Sequence, residues 1–343
     1  MTRLQCELCG SIDIIKTADN VFQCQHCGCK YTLEQAKTLI FGGEVKTKAT
    51  DFEITGGVLK KYNGEDIDVV VPNNVLEIGA NAFEKLQIRS AKLPQGLKII
   101  GHKAFFGCGN LASISIPQGV KNIGDSAFGS CTALSSVQLS EGIEYIGIEA
   151  FHGCISLQSI TIPKGVTCIE NGAFKNCKAL SSVLLPEGIN QIGMEAFQGC
   201  ISLQSVVLPK GITRIENYTF RDCKKLSSVQ LPGGLSEIGC GAFSGCSSLK
   251  SINPTNGLKR IEDRAFLDCV SLEEMYVPDG VDADGIDLLG GYTAIFQGCD
   301  MSHISTPYMR QEWMRTGRCR HCGGAFKGFF NQVCTKCSRA RDY

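Results

Sequence analysis

Eight of the 20 cysteines are spaced for metal chemistry. Cys6-x2-Cys9 and Cys24-x2-Cys27 stand near the N-terminus, and Cys319-x2-Cys322 and Cys334-x2-Cys337 near the C-terminus. Zinc takes four ligands tetrahedrally, and each CxxC turn supplies two thiolates from one knuckle. Gly10, Gly28 and Gly323 follow three of the pairs, with Ser338 after the fourth. A glycine there lets the chain turn so that backbone N–H groups face the sulfurs. Two zinc ions are therefore expected, one at each end. Four cysteines fill the coordination shell and leave no position for an activated water, so both would be closed, structural sites. Redox exchange is the rival chemistry for a CxxC pair, and the paired arrangement favours zinc. His26 and Cys29 are further donors beside the first set, for which a four-cysteine shell fits best.

No other constellation points to catalysis. The five histidines are scattered, and the sequence holds no HExxH, GxxxxGK[ST] or GxSxG. A non-catalytic protein is expected. Charge is balanced overall but unevenly placed. Residues 51–307 carry 20 Lys/Arg against 27 Asp/Glu, and residues 308–343 carry eight against two. With Trp313, Phe329 and Phe330 nearby, the basic end gives a second reading, contact with nucleic acid phosphates. The simpler reading is a solvated basic surface that meets acidic groups. Met1-Thr2-Arg3-Leu4-Gln5-Cys6 is no secretory leader, and no apolar run could span a bilayer. Cysteine usage then suggests a reducing compartment and a cytoplasmic location.

The elements between the two cysteine sets repeat. Phe105, Phe128, Phe151, Phe174, Phe197, Phe220, Phe243 and Phe266 recur every 23 residues, and Cys108, Cys131, Cys154, Cys177, Cys200, Cys223, Cys246 and Cys269 keep the same step. A fixed period of this length means a solenoid, whose units bury their apolar faces only against neighbours. Within one unit, Ile160 and Ile162 alternate with Ser159 and Thr161, the pattern of a strand with one buried face. Pro163 ends it and Lys164-Gly165 turns the chain. Val166 and Ile169 begin a second short apolar stretch. Ala173-Phe174 is expected to open a tight helical or 3₁₀ turn back to Cys177 and Leu180. About ten such coils would stack into a parallel sheet with a strand spacing of about 4.8 Å.

The phenylalanine and cysteine ladders read as core, the latter as buried free thiols. Cys168 and Cys240 lie off the ladder and receive no role. Residues 141–163 match 187–209 far better than they match the adjacent 164–186, so the units recur in pairs of 46 residues. The outward strand positions form two columns. Ser136, Ser159, Ser182, Ser205 and Ser228 belong to one; Gln138, Thr161, Leu184, Val207, Gln230 and Tyr276 belong to the other. Small residues permit close stacking of strands. The same columns also offer a shallow polar surface for an extended protein segment, with Leu184, Val207 and Tyr276 as apolar anchors.

The repeat resembles the BspA-type leucine-rich repeat family, on Ile146-Gly147, Ala150-Phe151, Cys154, Leu157, Ile160, Ile162-Pro163 and Gly165. Gly57-Val58-Leu59-Lys60-Lys61-Tyr62-Asn63-Gly64 is similar to that family's first repeat. The resemblance implies protein–protein and adhesive contacts without one shared ligand. Both terminal cysteine sets resemble zinc ribbons. The expected fold is thus a β-rich, α/β-type solenoid flanked by two ribbons. Its divisions are a ribbon and short helix over 1–41, a linker over 42–50, the solenoid over 51–307 and a ribbon over 308–343. Within the solenoid, 51–80 and 281–307 would be caps. The function expected is a protein-interaction scaffold. The alternatives are a nucleic-acid-associated adaptor and a surface adhesin exported without a signal peptide.

Overall fold

The structure, a computed structural model, describes residues 14–18, 21–24, 30–32, 49–273, 275–283, 292–299, 304–305, 326–327 and 333–334. The chain divides into two units, Met1–Lys48 and Ala49–Tyr343. The first contains a three-stranded antiparallel sheet of Ile14–Ala18, Val21–Cys24 and Lys30–Thr32. The second is built on a β-solenoid of about nine turns. The helix expected after Thr32 lies outside the described residues.

A hairpin of Phe52–Thr55 and Val58–Tyr62 closes the N-terminal end of the solenoid, as the irregular sequence there suggests. Its second strand runs parallel to Glu77–Ile78 and so starts the coil stack. From Asp68 to Ile238 each coil contributes a three-residue strand and, across the core, a two-residue strand. Ser159–Thr161 and Cys168–Ile169 represent the pattern. Ile160, Ile162, Val166 and Ile169 point into the core.

The core is a spine of aromatic rings. Phe83, Phe105, Phe128, Phe151, Phe174, Phe197, Phe220, Phe243, Phe266 and Phe296 stack in order at centroid distances of 4.8–5.6 Å. Phe52 and Tyr62 continue the row at the hairpin with tilted rings. Phe296 stacks on Phe266 at 5.5 Å although the step between them is 30 residues rather than 23. The insertion within 282–293 therefore leaves the ring register intact.

The turn carrying each phenylalanine is not the expected helical or 3₁₀ turn. Ala173, Lys175 and Cys177 donate to the carbonyls three residues back, those of Glu170, Gly172 and Phe174. The intervening N–H groups of Gly172, Phe174 and Asn176 donate instead to Met194, Ala196 and Gln198 of the next coil. A 3₁₀ helix would direct every N–H inward along its own axis. Here alternate donors are spent between coils, which satisfies the backbone and fastens the stack in one motif.

The 46-residue period is also structural. On the long-strand face, hydrogen-bonded strand pairs form in twos: Ser113–Ser115 with Ser136–Gln138, Ser159–Thr161 with Ser182–Leu184, and Ser205–Val207 with Ser228–Gln230. Between successive pairs the ladder opens into a seam, and beyond the third a single bridge joins Ser228 to Ser251. Within pairs, the Ile116, Ile162 and Leu208 N–H groups donate to Gln138, Leu184 and Gln230. Across the seams, Gln158 and Gln204 donate to Ser135 and Ser181 at the strand entrance. Ile160 and Ile162 on the first strand of a pair are buried, whereas Val183 and Leu185 on the second are half-buried.

Candidate interaction surface

Of the eight cysteines proposed for metal, only Cys24 and Cys334 fall among the described residues. Cys24 closes the strand Val21–Cys24, and Cys334 closes Val333–Cys334, where it pairs in register with Phe326. Cys6, Cys9, Cys27, Cys319, Cys322 and Cys337 lie outside them. Among the described residues, no cluster of three or more His, Cys, Asp or Glu is arranged to hold a metal.

The long-strand face displays both outward columns. Ser136, Ser159, Ser182, Ser205 and Ser228 are exposed, as are Gln138, Thr161, Leu184, Val207, Gln230 and Tyr276. The serines occupy equivalent register positions, Ser136 opposite Ser113, Ser159 opposite Ser182 and Ser205 opposite Ser228. Gln138 accepts a bond from the Ser115 hydroxyl at 3.3 Å. Leu184 is 63% exposed and Val207 59%. They sit on neighbouring coils and flank one seam, above the half-buried Val183 and Leu185. Tyr276 is also exposed, but it lies three coils beyond Val207 and forms no patch with them.

The cysteine ladder lies in the core. Cys108 through Cys269 are free and buried. Each thiol donates to a phenylalanine carbonyl of the preceding coil, as Cys154 does to Phe128 at 3.1 Å and Cys177 to Phe151 at 3.2 Å. Burial pushes Cys108 and Cys200 up to about 12, and raises Cys154, Cys177 and Cys223 well above the ordinary thiol range. Sequence reading missed Cys299, because the insertion hides its register. It extends the ladder by donating to Phe266 at 3.0 Å, three residues after Phe296.

The opposite face carries the short strands. Arg214 links three coils by ion pairs to Glu216 at 3.1 Å, to Glu237, and to Glu262 at 2.9 Å. Burial alone would lower its guanidinium, but the hydrogen bonds to Glu262 and Glu216 outweigh this and hold it above its ordinary value. Cys168 is half-buried. Burial, then the Glu170 charge and a hydrogen bond to Glu170, push its thiol up to about 11.

The family model for the BspA type leucine rich repeat region, in six copies, matches residues 62–181 and 167–287. No curated protein matches the chain. Among solved structures, the chain is similar to a leucine-rich repeat protein of T. pallidum, with 31% identity over 59% of this chain and 90% of that one and a TM-score of 0.46. A leucine-rich cell surface protein of Faecalibacterium prausnitzii A2-165 is 23% identical over 78% of this chain and 96% of its own, with a TM-score of 0.42. A leucine-rich repeat protein of Bacteroides ovatus ATCC 8483 is 25% identical over 62% and 73%, with a TM-score of 0.39.

Proposed function

The chain belongs to the BspA-type leucine-rich repeat family, and from that premise we propose that it is a non-catalytic protein-interaction scaffold whose long-strand face is the contact surface. The observation that carries this reading is the adjacent exposure of Leu184 and Val207 in a column otherwise occupied by Gln138, Thr161 and Gln230. Two branched apolar side chains over a seam give a partner something to desolvate, and the surrounding serine, threonine and glutamine groups supply a hydrogen-bonding rim. The test is affinity capture from native lysate with the full chain and with Leu184→Glu/Val207→Glu. Both positions are exposed, so the variant should keep its fold. We expect a partner retained by the parent chain and lost with the variant. Equal recovery would remove the strand face as the contact surface.

The two cysteine sets complete the proposal. Cys6, Cys9, Cys24 and Cys27 would hold one zinc, and Cys319, Cys322, Cys334 and Cys337 a second, each stabilising a small end module. The support is spacing, together with the antiparallel strands that end at Cys24 and Cys334. Metal analysis of the purified chain should find about two zinc per molecule, and a chelator should release them with loss of structure at the ends. A value near zero would leave the cysteine pairs to redox chemistry. The number of cysteines outside any disulfide pattern is the support for a reducing compartment. Among the described residues, no helix is long and apolar enough to cross a membrane. The basic residues 308–343 favour nucleic acid as the second class of partner; retention on generic DNA that falls steeply with salt would support it.

A further inference from the structure

The cysteine ladder ends in a pair of thiols unlike the rungs before it. Cys108 through Cys269 are fully buried, whereas Cys299 is half-buried and keeps some contact with solvent. Cys269 and Cys299 occupy the same place on adjacent coils. Each donates its backbone N–H to the phenylalanine three residues before it, Cys269 to Phe266 at 3.2 Å and Cys299 to Phe296 at 3.0 Å. Each thiol donates to the phenylalanine carbonyl one coil back, Cys269 to Phe243 at 3.2 Å and Cys299 to Phe266 at 3.0 Å. The two turns are fastened to each other by the Phe266 N–H to Ile295 and the Asp268 N–H to Gln297. Their rings stack at 5.5 Å. A coil spacing of about 5 Å falls inside the roughly 4.4–6.8 Å between Cα atoms that a disulfide spans.

This combination of solvent contact and a neighbouring thiol sets the pair apart among the described residues. Cys168 and Cys240 are also half-buried, but Cys168 pairs in register with Gln191, and Cys240 lies 3.5 Å from the Tyr218 hydroxyl. The interior rungs have neighbouring thiols and no solvent. Burial keeps Cys154, Cys177 and Cys223 protonated well above the ordinary thiol range, and a protonated thiol is a poor nucleophile. We propose that Cys269 and Cys299 are an oxidation site, joined by a disulfide when the chain meets a peroxide. The Cys299 thiolate attacks one peroxide oxygen, the O–O bond breaks, and the sulfur becomes a sulfenic acid while the other oxygen leaves as water. Cys269 then attacks that sulfur; the S–S bond forms, the S–O bond breaks, and the hydroxyl leaves as water with the Cys269 proton. Two thiols and one hydrogen peroxide give one disulfide and two waters, the sulfurs losing the two electrons that the peroxide gains. The bond removes the thiol hydrogen bonds to Phe243 and Phe266, and it needs Cβ atoms about 3.5–4.5 Å apart, closer than one coil spacing. Gly298, at φ +82° directly before Cys299, gives the Phe296 turn the freedom to make that shift. The disulfide ties this turn to the Phe266 turn, and exchange with a small thiol such as glutathione reopens it.

Peptide mapping of the full chain tests this. Trypsin leaves residues 265–310 as one peptide, because no Lys or Arg stands between Arg264 and Arg310, and its two cysteines are Cys269 and Cys299. The reduced chain is treated with hydrogen peroxide, quenched with catalase, denatured, alkylated, digested and read by mass spectrometry. The expected peptide carries no alkyl group and is two hydrogens lighter than the free dithiol. Cleavage after Glu273 or Glu274 should separate it into two fragments only once it has been reduced. Cys154 and Cys177 should remain alkylated. In Cys299→Ser, whose fold circular dichroism checks, Cys269 should also remain alkylated after peroxide; the parent map stands on its own if that variant fails to fold. Alkylation of both Cys269 and Cys299 in the treated parent would overturn the proposal. So would Cys299 carried to sulfinic acid beside an alkylated Cys269. Loss of Cys269 alkylation in a folded Cys299→Ser chain would do the same, because the oxidant would then reach the buried rung without its neighbour.

Discussion

At the residue scale, the cysteine ladder makes stability depend on alkaline pH. A thiol ordinarily titrates near 8.5, but burial holds Cys108 and Cys200 at about 12 and Cys154, Cys177 and Cys223 well above the ordinary range. The native state therefore keeps these protons to higher pH than the unfolded chain does. Stability from this source is fully present below about pH 8.5 and falls as pH rises toward 12, by up to about 1.4 kcal/mol per pH unit for each thiol. Thermal unfolding followed between pH 7 and 10.5 should show little change to pH 8 and a progressive drop in Tm above it. A flat profile would mean that the thiols are solvated. Much of this was legible in the sequence, because the cysteines share the phenylalanine period and cysteine behaves as a small hydrophobe. The hydrogen bonds to Phe128 and Phe151 were not, since they join residues 26 apart through a turn whose bonding pattern differs from a helix.

At the element scale, the paired coils have a steric cause. Asn171 and Asn217 cap the Met194 and Cys240 N–H groups of the next coil, and a Cβ at Gly193 or Gly239 would lie 2.5 Å from the Asn171 or Asn217 Oδ1. A similarly close approach recurs at Gly245 in the turn after phenylalanine. Its φ is +74°, and a Cβ there would lie 2.5 Å from the Asp222 Oδ1 of the preceding coil. A polar cap on one coil thus requires glycine on the next, and the two coils form one 46-residue unit. Gly245→Ala should lower the unfolding free energy by about 1–3 kcal/mol through backbone strain alone, with the clash added. Combining it with Asp222→Gly should recover part of the loss. Urea denaturation measures both, and an unchanged midpoint for Gly245→Ala would remove the steric account. The duplication was visible as residue identities, but its cause needed the cap geometry. The expected 3₁₀ turn failed for a related reason: local sequence does not say which N–H groups will be claimed by the neighbouring coil.

At the scale of the whole molecule, a row of ten stacked phenylalanines runs the length of the array, and the described surface is two broad faces. The fold was legible because a fixed period of 23 residues implies a stack of like coils, and the cap because residues 51–80 depart from that period. The surface was legible only in part. The outward columns followed from strand alternation, whereas the seam under Leu184 and Val207 depends on how coils pair. A scaffold working through the strand face makes one direct demand. Hydrogen–deuterium exchange of the full chain with and without its captured partner should show protection centred on the strands Ser182–Leu184 and Ser205–Val207, with the short-strand face unchanged. Protection confined to residues 1–48 or 308–343, with both strands exchanging as in the free chain, would contradict the account.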